Sequence, residues 1–417
     1  KKGKVISLLN SLELQNKYFS LNSQNILNRK NFYEYQLQHS VWDIAYNNSD
    51  DHELYPSKKQ IIKATVKVNS VLNNLKMNLD TKNIDTAFLS HQVYDQRAVL
   101  AYLRQKNIKI FAHANFNIHK VTKYKDNGPT FISKKVLKKV NNKIKTAVIK
   151  KYWKKVQDGK SAREETQFAS KINKTTNKIN QNVIMLHVFR DSPFNVLDQD
   201  RIFSDYHSWF EETLKIIKKS KEKWTVRPHP AHKKWGENSK IKINCFLKKI
   251  FGAKIPNNIH IDFNLSSNLH QLKNTKRLIT FSGSSHLESA CFGVKPIIIS
   301  ESTLERFDRN LILKPKNVEE YKKLILTKSN SKIFKLNRSQ IMRAQKALYI
   351  RDNILSFNDI LKAKKIYRGA SKKLRTKEFY RITKYVEKNL SYFSKLGELL
   401  SKNYDQTVTK KYIRTFK

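Results

Sequence analysis

The residues of this chain that are best suited to chemistry follow predicted strands. One such stretch is KRLITFSGSSHLESACFG (276–293), in which a strand leads into a loop and then a helix. The loop consists of Ser282, Gly283, Ser284 and Ser285. Glycine lets the backbone turn sharply, and N–H groups at a helix start attract anions. Glu288 lies about one turn into the helix, where its carboxylate can accept both hydroxyls of a ribose. The stretch predicts a phosphate site, and the alternative is a helix cap made by Ser284 or Ser285 with Glu288.

A second stretch, RPHP (227–230), also ends a predicted strand. Pro228 and Pro230 fix φ near about −65° on either side of His229 and hold it in an extended turn. At that position His229 can donate a hydrogen bond to a phosphate, and Arg227 can add a positive charge. The alternative is a rigid loop in which the histidine has no chemical role.

The stretch HVFRDSPF (187–194) closes the first strand of a second strand–helix series. Asp191 then lies where a nucleophile or general base reaches a cleft. His187 and Arg190 flank it as supporting residues. The alternative is an Asx turn, for which Asp-Ser-Pro is a suitable sequence.

His91, in LSHQVYDQRAVL (89–100), follows a strand of the N-terminal half. We expect it to lie across the cleft from the serine loop as a second catalytic candidate, and the alternative is a loop histidine with structural hydrogen bonds. The histidines of HANFNIH (113–119) do not have metal-ligand spacing, and no metal site is predicted. The motifs of metalloproteases, P-loops, dinucleotide sites and nucleophile elbows are not found in the sequence.

Strands and helices alternate along most of the chain. A helix over 58–79 precedes strands at 84–90 and 108–114, which flank a helix at 94–107. This order predicts a right-handed parallel β-α-β unit. Polar helices at 133–156 and 164–181 follow. The second series has strands at 182–189, 223–228, 258–263, 276–281 and 294–300, and helices at 204–220, 243–251, 266–275 and 284–293.

The alternation predicts an α/β protein with two Rossmann-like domains and a cleft between them. Residues 1–180 would form the N-terminal domain, 181–330 the C-terminal domain, and 331–417 a helical segment that packs back on both. Ser204 is the expected N-cap of the helix at 204–220. In open α/β sheets, ligands bind at the carboxyl ends of the strands, where all four stretches lie.

The chain is strongly basic, with 83 Lys and Arg against 34 Asp and Glu and a net charge of +49. Such a charge predicts attraction to an anionic membrane surface or another polyanion, but the lysines are spread along the chain, as in a compositional bias. The clustered basic and aromatic residues of a nucleic-acid-binding module are not found.

Two cysteines without CxxC spacing favour a reducing compartment. The expectation is a cytoplasmic protein, because the sequence contains neither a run of about 18 apolar residues nor an N-terminal signal-peptide pattern.

Taken in order, these stretches resemble the GT-B glycosyltransferases of bacterial capsule and surface-polysaccharide biosynthesis, especially those that transfer Kdo from CMP-Kdo. The His-Pro pair and the downstream serine loop are also similar to those of bacterial sialyltransferases, which use CMP-sugars too. The resemblance covers about the middle half of the chain. Its matching parts are LSHQVYDQRAVLAYLRQKNIKIF, VIMLHVFRDSPF, WTVRPHPAHKKWGE and LITFSGSSHLESACFGVKPIII.

The resemblance implies a GT-B fold with the acceptor on the N-terminal domain and the nucleotide-sugar on the C-terminal domain. His229 and the serine loop would bind the CMP part of the donor, Glu288 would meet the ribose, and Asp191 would be the catalytic carboxylate. The donor would be CMP-Kdo or another CMP-sugar, with no further cofactor. The acceptor would be lipid-linked or a saccharide, and the enzyme would sit peripherally on the inner membrane face.

The chain departs from the sialyltransferase pattern, because the acidic D/E-D/E-G motif is not evident in the N-terminal domain. Two alternatives stay open. CDP-glycerol glycerophosphotransferases share a Pro-His-Pro-like turn, but they usually carry Asp-Tyr-Ser-Ser where this chain has Ser-Gly-Ser-Ser. A basic nucleic-acid-binding protein is the alternative from another class.

Overall fold

The computed structural model shows an α/β protein, which confirms the fold class expected from the sequence. Within the described part of the chain, the strands form one mixed sheet near the N-terminus and one parallel sheet further on. The described residues are 32–79, 84, 86–89, 93–114, 117–121, 144–159, 181–190, 202–203, 205–230, 232–233, 236–263, 268–281, 284–300 and 302–354.

The N-terminal sheet contains the predicted parallel β-α-β unit. Strand β1 (Thr86–Leu89) pairs in parallel with β2 (Lys109–Ala114), and β3 (Asn117–Val121) adds an antiparallel edge that was not predicted. The helices of this region are α1 (Phe32–Asn47), α2 (Lys58–Leu79) and α3 (Asp95–Gln105). The predicted helix over 58–79 is confirmed at both ends. Its buried positions recur every three or four residues, as one face of a helix requires: Ile61, Ala64, Thr65, Val68 and Leu72.

The C-terminal sheet has five strands, all parallel, in the order β6-β5-β4-β7-β8. They are β4 (Asn182–Met185), β5 (Trp224–Arg227), β6 (Ile259–Ile261), β7 (Arg277–Thr280) and β8 (Ile297–Ile298). Every residue of the three central strands is buried, because helices cover both faces of a parallel sheet. Burial on both faces fits the consecutive apolar residues of β4 (Val183 and Ile184) and β7 (Leu278 and Ile279), whereas β5, Trp-Thr-Val-Arg, alternates apolar and polar residues although all four are buried.

Helices connect and cover the parallel sheet. They are α4 (Thr146–Gln157), α5 (Tyr206–Lys218), α6 (Ser239–Phe251), α7 (Asn268–Lys273), α8 (Ser285–Cys291), α9 (Thr303–Phe307), α10 (Val318–Leu326) and α11 (Arg338–Tyr349), which continues into a π-helical turn, Ile350–Ile354. Helix α4 precedes the predicted domain boundary near residue 180. It nevertheless packs in one cluster with α8 and α11, through residues that include Trp153, Leu287 and Ala344.

Several predicted boundaries are corrected by the structure. Helix α5 is capped by Asp205, whose carboxylate accepts hydrogen bonds from the backbone N–H and hydroxyl of Ser208, both at 2.8 Å. The expected cap, Ser204, lies outside the described residues, as do positions 164–180 of the predicted helix at 164–181 and the chain after 354. The strand expected over 294–300 is reduced to β8, and Pro296 just before it has no N–H to contribute to a ladder. Gly293 has a φ of 90°, which suits a glycine just beyond the end of α8.

Among the residues that the structure describes, no helix is long and apolar enough to cross a membrane.

A buried arginine joins the sheet to α10. The side chain of Arg277 is fully buried, and its guanidinium lies 4.4 Å from the centre of the Trp224 ring. It donates hydrogen bonds to the carbonyls of Leu324 at 3.2 Å and Ile325 at 2.7 Å, and it pairs with Glu222. The charge is tolerated inside the protein because its donors are used and a carboxylate compensates it.

Replacing Arg277 with alanine removes the donor to the Leu324 and Ile325 carbonyls and the positive charge that compensates Glu222, whose carboxylate keeps its hydrogen bonds from Ser329. We expect Arg277→Ala to lower the free energy of unfolding by about 3–5 kcal/mol in urea denaturation. Lys276→Ala is the matched control, because Lys276 is the exposed neighbour and its loss should change stability by less than about 0.5 kcal/mol. Equal effects of the two substitutions would contradict this role.

Candidate functional site

The order of the parallel strands brings three of the four predicted stretches to one edge of the sheet. The chain reverses its winding direction between β4 and β7, which are neighbours in the sheet. In doubly wound sheets, ligands bind at the carboxyl ends of the strands at this point. Met185 at the end of β4 is in register with Arg227 of β5 and with Thr280 of β7. The three strands therefore end at the same level, and the loops after them are neighbours.

Two histidines meet at this edge. The rings of His187 and His229 lie 5.2 Å apart between centroids. The Leu186 N–H donates to the Arg227 carbonyl at 2.9 Å, which extends the pairing of β4 and β5 towards the site. The Tyr206 hydroxyl accepts from the His187 N–H at 2.7 Å and donates to the His187 carbonyl at 3.2 Å. The sheet and α5 thus hold the backbone of His187 in place.

His229 is a neutral hydrogen-bonding group at physiological pH. Burial lowers its pKa well below the ordinary value, and the neighbouring His187 and His232 lower it further. A neutral imidazole donates one hydrogen bond and accepts one. At neutral pH the ring therefore carries one donor and one acceptor rather than a fixed positive charge.

Arg227 is buried at the end of β5. Its Nε lies 3.2 Å from a carboxylate oxygen of Asp262, which follows β6. Burial lowers the pKa of this guanidinium, and the negative charge of Asp262 opposes that effect. The ion pair ties the ends of two strands together beside His229.

The serine loop lies at the end of β7. Ser282 and Gly283 are outside the described residues. Ser284 is exposed, and its side chain makes no capping hydrogen bond to α8, so the helix-cap alternative is not formed by Ser284. Ser285 is buried as the first residue of this short helix.

Glu288 is buried on α8, within a cluster of ionisable side chains. Burial raises the pKa of the Cys291 thiol, and Glu288 raises it further. Burial by itself would lower the pKa of Arg351. The negative charges of Asp352 and Glu288 have the opposite and larger effect, so the pKa is raised overall. Tyr152 of α4 donates to Asp352 at 2.9 Å. Glu288 therefore lies in a polar contact between α8 and the π-helical turn, and its contact to a ribose stays a prediction.

Both the backbone and the guanidinium of Arg190 bind to other protein groups. Its N–H donates to the Glu237 carboxylate at 2.8 Å, and its guanidinium donates to the Gly236 carbonyl at 2.9 Å. The same guanidinium lies 3.3 Å from Asp51, in the turn after α1. Its predicted support of Asp191 stays a prediction, because Asp191 lies outside the described residues.

Sequence reasoning missed Glu237 and Asp51. Burial raises the pKa of Glu237, while hydrogen bonds from Ser239 and from the Arg190 N–H lower it. Glu237 ends the stretch WTVRPHPAHKKWGE, where an acidic residue stands out among basic ones. Only the fold brings Asp51 near it, because the two residues are far apart in the sequence.

Asp191 and His91 lie outside the described residues, so their catalytic roles stay predictions. Within the described residues, no group of three histidine, cysteine or acidic side chains is arranged to hold a metal ion.

No protein-family model and no curated protein matches the sequence. Solved structures with a similar fold include Thermosulfurimonas dismutans KpsC, a beta Kdo 2,4 transferase, at 10% identity and a TM-score of 0.34, over 62% of this chain and 78% of that one. The UDP-GlcNAc 2-epimerase of Methanocaldococcus jannaschii has 14% identity and a TM-score of 0.32, over 68% and 80% of the two chains. A Listeria monocytogenes protein described as a UDP-N-acetylglucosamine 2-epimerase has 15% identity and a TM-score of 0.32, over 72% and 78%. A likeness of this size carries no argument about substrate or mechanism.

The low pKa of His229 makes the stability of the protein depend on pH. Below about pH 6.5 the unfolded chain takes up a proton on this histidine, whereas the folded protein does not, so the free energy of unfolding falls as the pH falls. We expect His229→Gln to reduce the loss of stability between pH 7.5 and 5 by about 1 kcal/mol in urea denaturation. The exposed His270→Gln is the control and should keep the full loss. An unchanged pH dependence in His229→Gln would refute the assignment.

Proposed function

We propose that this chain is a nucleotide-sugar-dependent glycosyltransferase of bacterial surface-polysaccharide biosynthesis, with a GT-B arrangement of two domains. The proposed reaction transfers Kdo from CMP-Kdo to a lipid-linked or saccharide acceptor. The observation that supports it is the contact between His187 and His229 at the carboxyl ends of β4 and β5, beside the end of β7 at the reversal point of a parallel sheet. The order of the His-Pro pair and serine loop, similar to that of CMP-sugar transferases, supports the choice of nucleotide.

Transfer requires little from the protein beyond positioning and charge stabilisation. A bond forms between an acceptor hydroxyl oxygen and the anomeric carbon of the sugar, while the bond from that carbon to the phosphate oxygen of CMP breaks. Asp191 would take the hydroxyl proton as general base. His229 would donate a hydrogen bond to the phosphate that leaves with CMP, which stabilises the negative charge developing there.

The acceptor and the attraction to an anionic membrane surface stay predictions. The exposed face of α4 is rich in lysine, at Lys150, Lys151, Lys154 and Lys155. Clusters of this kind gain about 1 kcal/mol per lysine near an anionic lipid surface. They equally suit the phosphate of a lipid-linked acceptor.

A panel of nucleotides tests the donor class. CMP at 100 times its Kd should raise the free energy of unfolding by about 2.7 kcal/mol, which is measurable as a thermal shift. CDP, UDP, GDP and a generic DNA duplex form the rest of the panel. A shift with UDP but none with CMP would reject the CMP-sugar proposal, and binding to DNA alone would favour the nucleic-acid-binding alternative.

Two substitutions separate binding from transfer. We expect His229→Ala to weaken CMP binding by about 10- to 100-fold in calorimetry, because a hydrogen bond to a charged group is lost. We expect Asp191→Asn to keep CMP binding and to abolish transfer to the acceptor. The exposed His270→Ala should bind CMP as the parent does. Unchanged turnover in Asp191→Asn would remove this residue from the mechanism.

A further inference from the structure

The end of α1 and the turn after it contact both sheets at the carboxyl ends of their first strands. We propose that this segment, Ser40–Asp51, here named the α1 bridge, is a positioning element that fixes the spacing between the loop after β1 and the loop after β4. These loops carry His91 and Asp191, the two catalytic candidates, so the catalytic consequence rests on the proposed function. The positioning itself rests on contacts among described residues.

On the side of β1, the α1 bridge holds Tyr94. The Ser40 hydroxyl donates to the Tyr94 carbonyl at 2.5 Å, and the Tyr94 N–H donates to the Asp43 carboxylate at 3.3 Å. Asp43 is anchored in turn by an ion pair with Arg97 at 2.7 Å, in which both side chains are fully buried. Tyr94 has a φ of 52°, a left-handed conformation that is unfavourable for a residue with a large side chain. Contacts from one helix therefore maintain a backbone geometry that the loop would not adopt unaided.

On the side of β4, the α1 bridge holds Arg190. The Asp51 carboxylate pairs with the Arg190 guanidinium at 3.3 Å and accepts the Asn238 N–H at 2.9 Å. Glu237, the residue before Asn238, accepts the Arg190 N–H at 2.8 Å. Asp51 and Glu237 thus enclose the residue that directly precedes Asp191.

Apolar contacts make the α1 bridge rigid at both ends. Val41 and Ile44 belong to the core beneath the N-terminal sheet. Tyr46 belongs to the core of the parallel sheet, where its ring stacks on buried His207 at 4.6 Å. One helix therefore contributes to both hydrophobic cores.

Asn47 joins the two loops directly. Its side-chain nitrogen lies 3.3 Å from the Tyr94 hydroxyl and 3.3 Å from the Arg190 carbonyl, as donor to both. An amide nitrogen carries two hydrogens, so it can make both bonds at once. Asn48, the next residue, is exposed like Asn47, but it donates to Ile44 within the same helix at 2.9 Å. Asn47 and Asn48 therefore allow a matched comparison between a side-chain amide that joins two loops and one that bonds only within α1.

Hydrogen exchange of the full chain tests the positioning without relying on activity. We expect Asn47→Ala to speed amide exchange at least threefold in the peptides covering 86–97 and 182–190, because both loops lose a contact to the same residue. Asn48→Ala should leave both peptides as in the parent. Acceleration of only one peptide, of neither, or equally by both variants would overturn the proposal.

Turnover measurements test the catalytic consequence. We expect Asn47→Ala to lower kcat about tenfold while the Kd for CMP stays within twofold, since small displacements of reacting groups cost much of the rate. Asn47→Gln, which keeps the amide, should restore part of the turnover. A parallel loss of CMP binding and kcat would overturn the positioning role. Failure of the parent protein to bind CMP would reject the proposed function, and the exchange result would still decide the role of the α1 bridge.

Discussion

All five strands of the C-terminal sheet run in the same direction, and this constraint determines where the loops that follow the strands lie. Each strand must be reached by a crossover, so every loop that follows a strand lies at one edge. The reversal between β4 and β7 keeps connecting helices from closing that edge, and β5 lies beside β4. His187, His229 and Ser284 come from three separate segments, yet the shared level of the strand ends brings these segments to one place.

The scarce acidic residues are used where a positive charge is buried. With 34 acidic against 83 basic residues, the carboxylates are too few to pair one-to-one with the basic side chains, and the remaining charges must be hydrated. A buried guanidinium is not hydrated, and the loss of hydration is too costly without a compensating charge. The buried arginines accordingly meet carboxylates: Arg97 with Asp43, Arg227 with Asp262, Arg277 with Glu222, and Arg351 with Asp352. The first three pairs connect different segments, whereas Arg351 and Asp352 are adjacent within the π-helical turn, so three of the four buried charges also link segments that are distant in the sequence.

The α1 bridge gives the two sheets a common support. Its polar side faces the loop after β1, whereas Tyr46 enters the core of the other sheet. Lys242 of α6 adds to this contact by donating to the Asp50 carbonyl at 3.2 Å. Polar and aromatic groups from one short segment thereby link regions that a simple two-domain description would separate.

The sequence by itself determined the α/β alternation, the helix at 58–79, and the strand ends at which His187, His229 and the serine loop lie, because periodicity, prolines and apolar runs are local signals. It did not predict α1, in which buried polar residues such as Gln36, Ser40 and Asp43 interrupt the apolar pattern of a helix face. Only the tertiary structure decided the strand order, the enclosure of Arg190 by Asp51 and Glu237, and the burial of Glu288 beside Arg351. These features depend on which distant segments become neighbours, and pairings between distant residues leave no periodic signal in a single sequence.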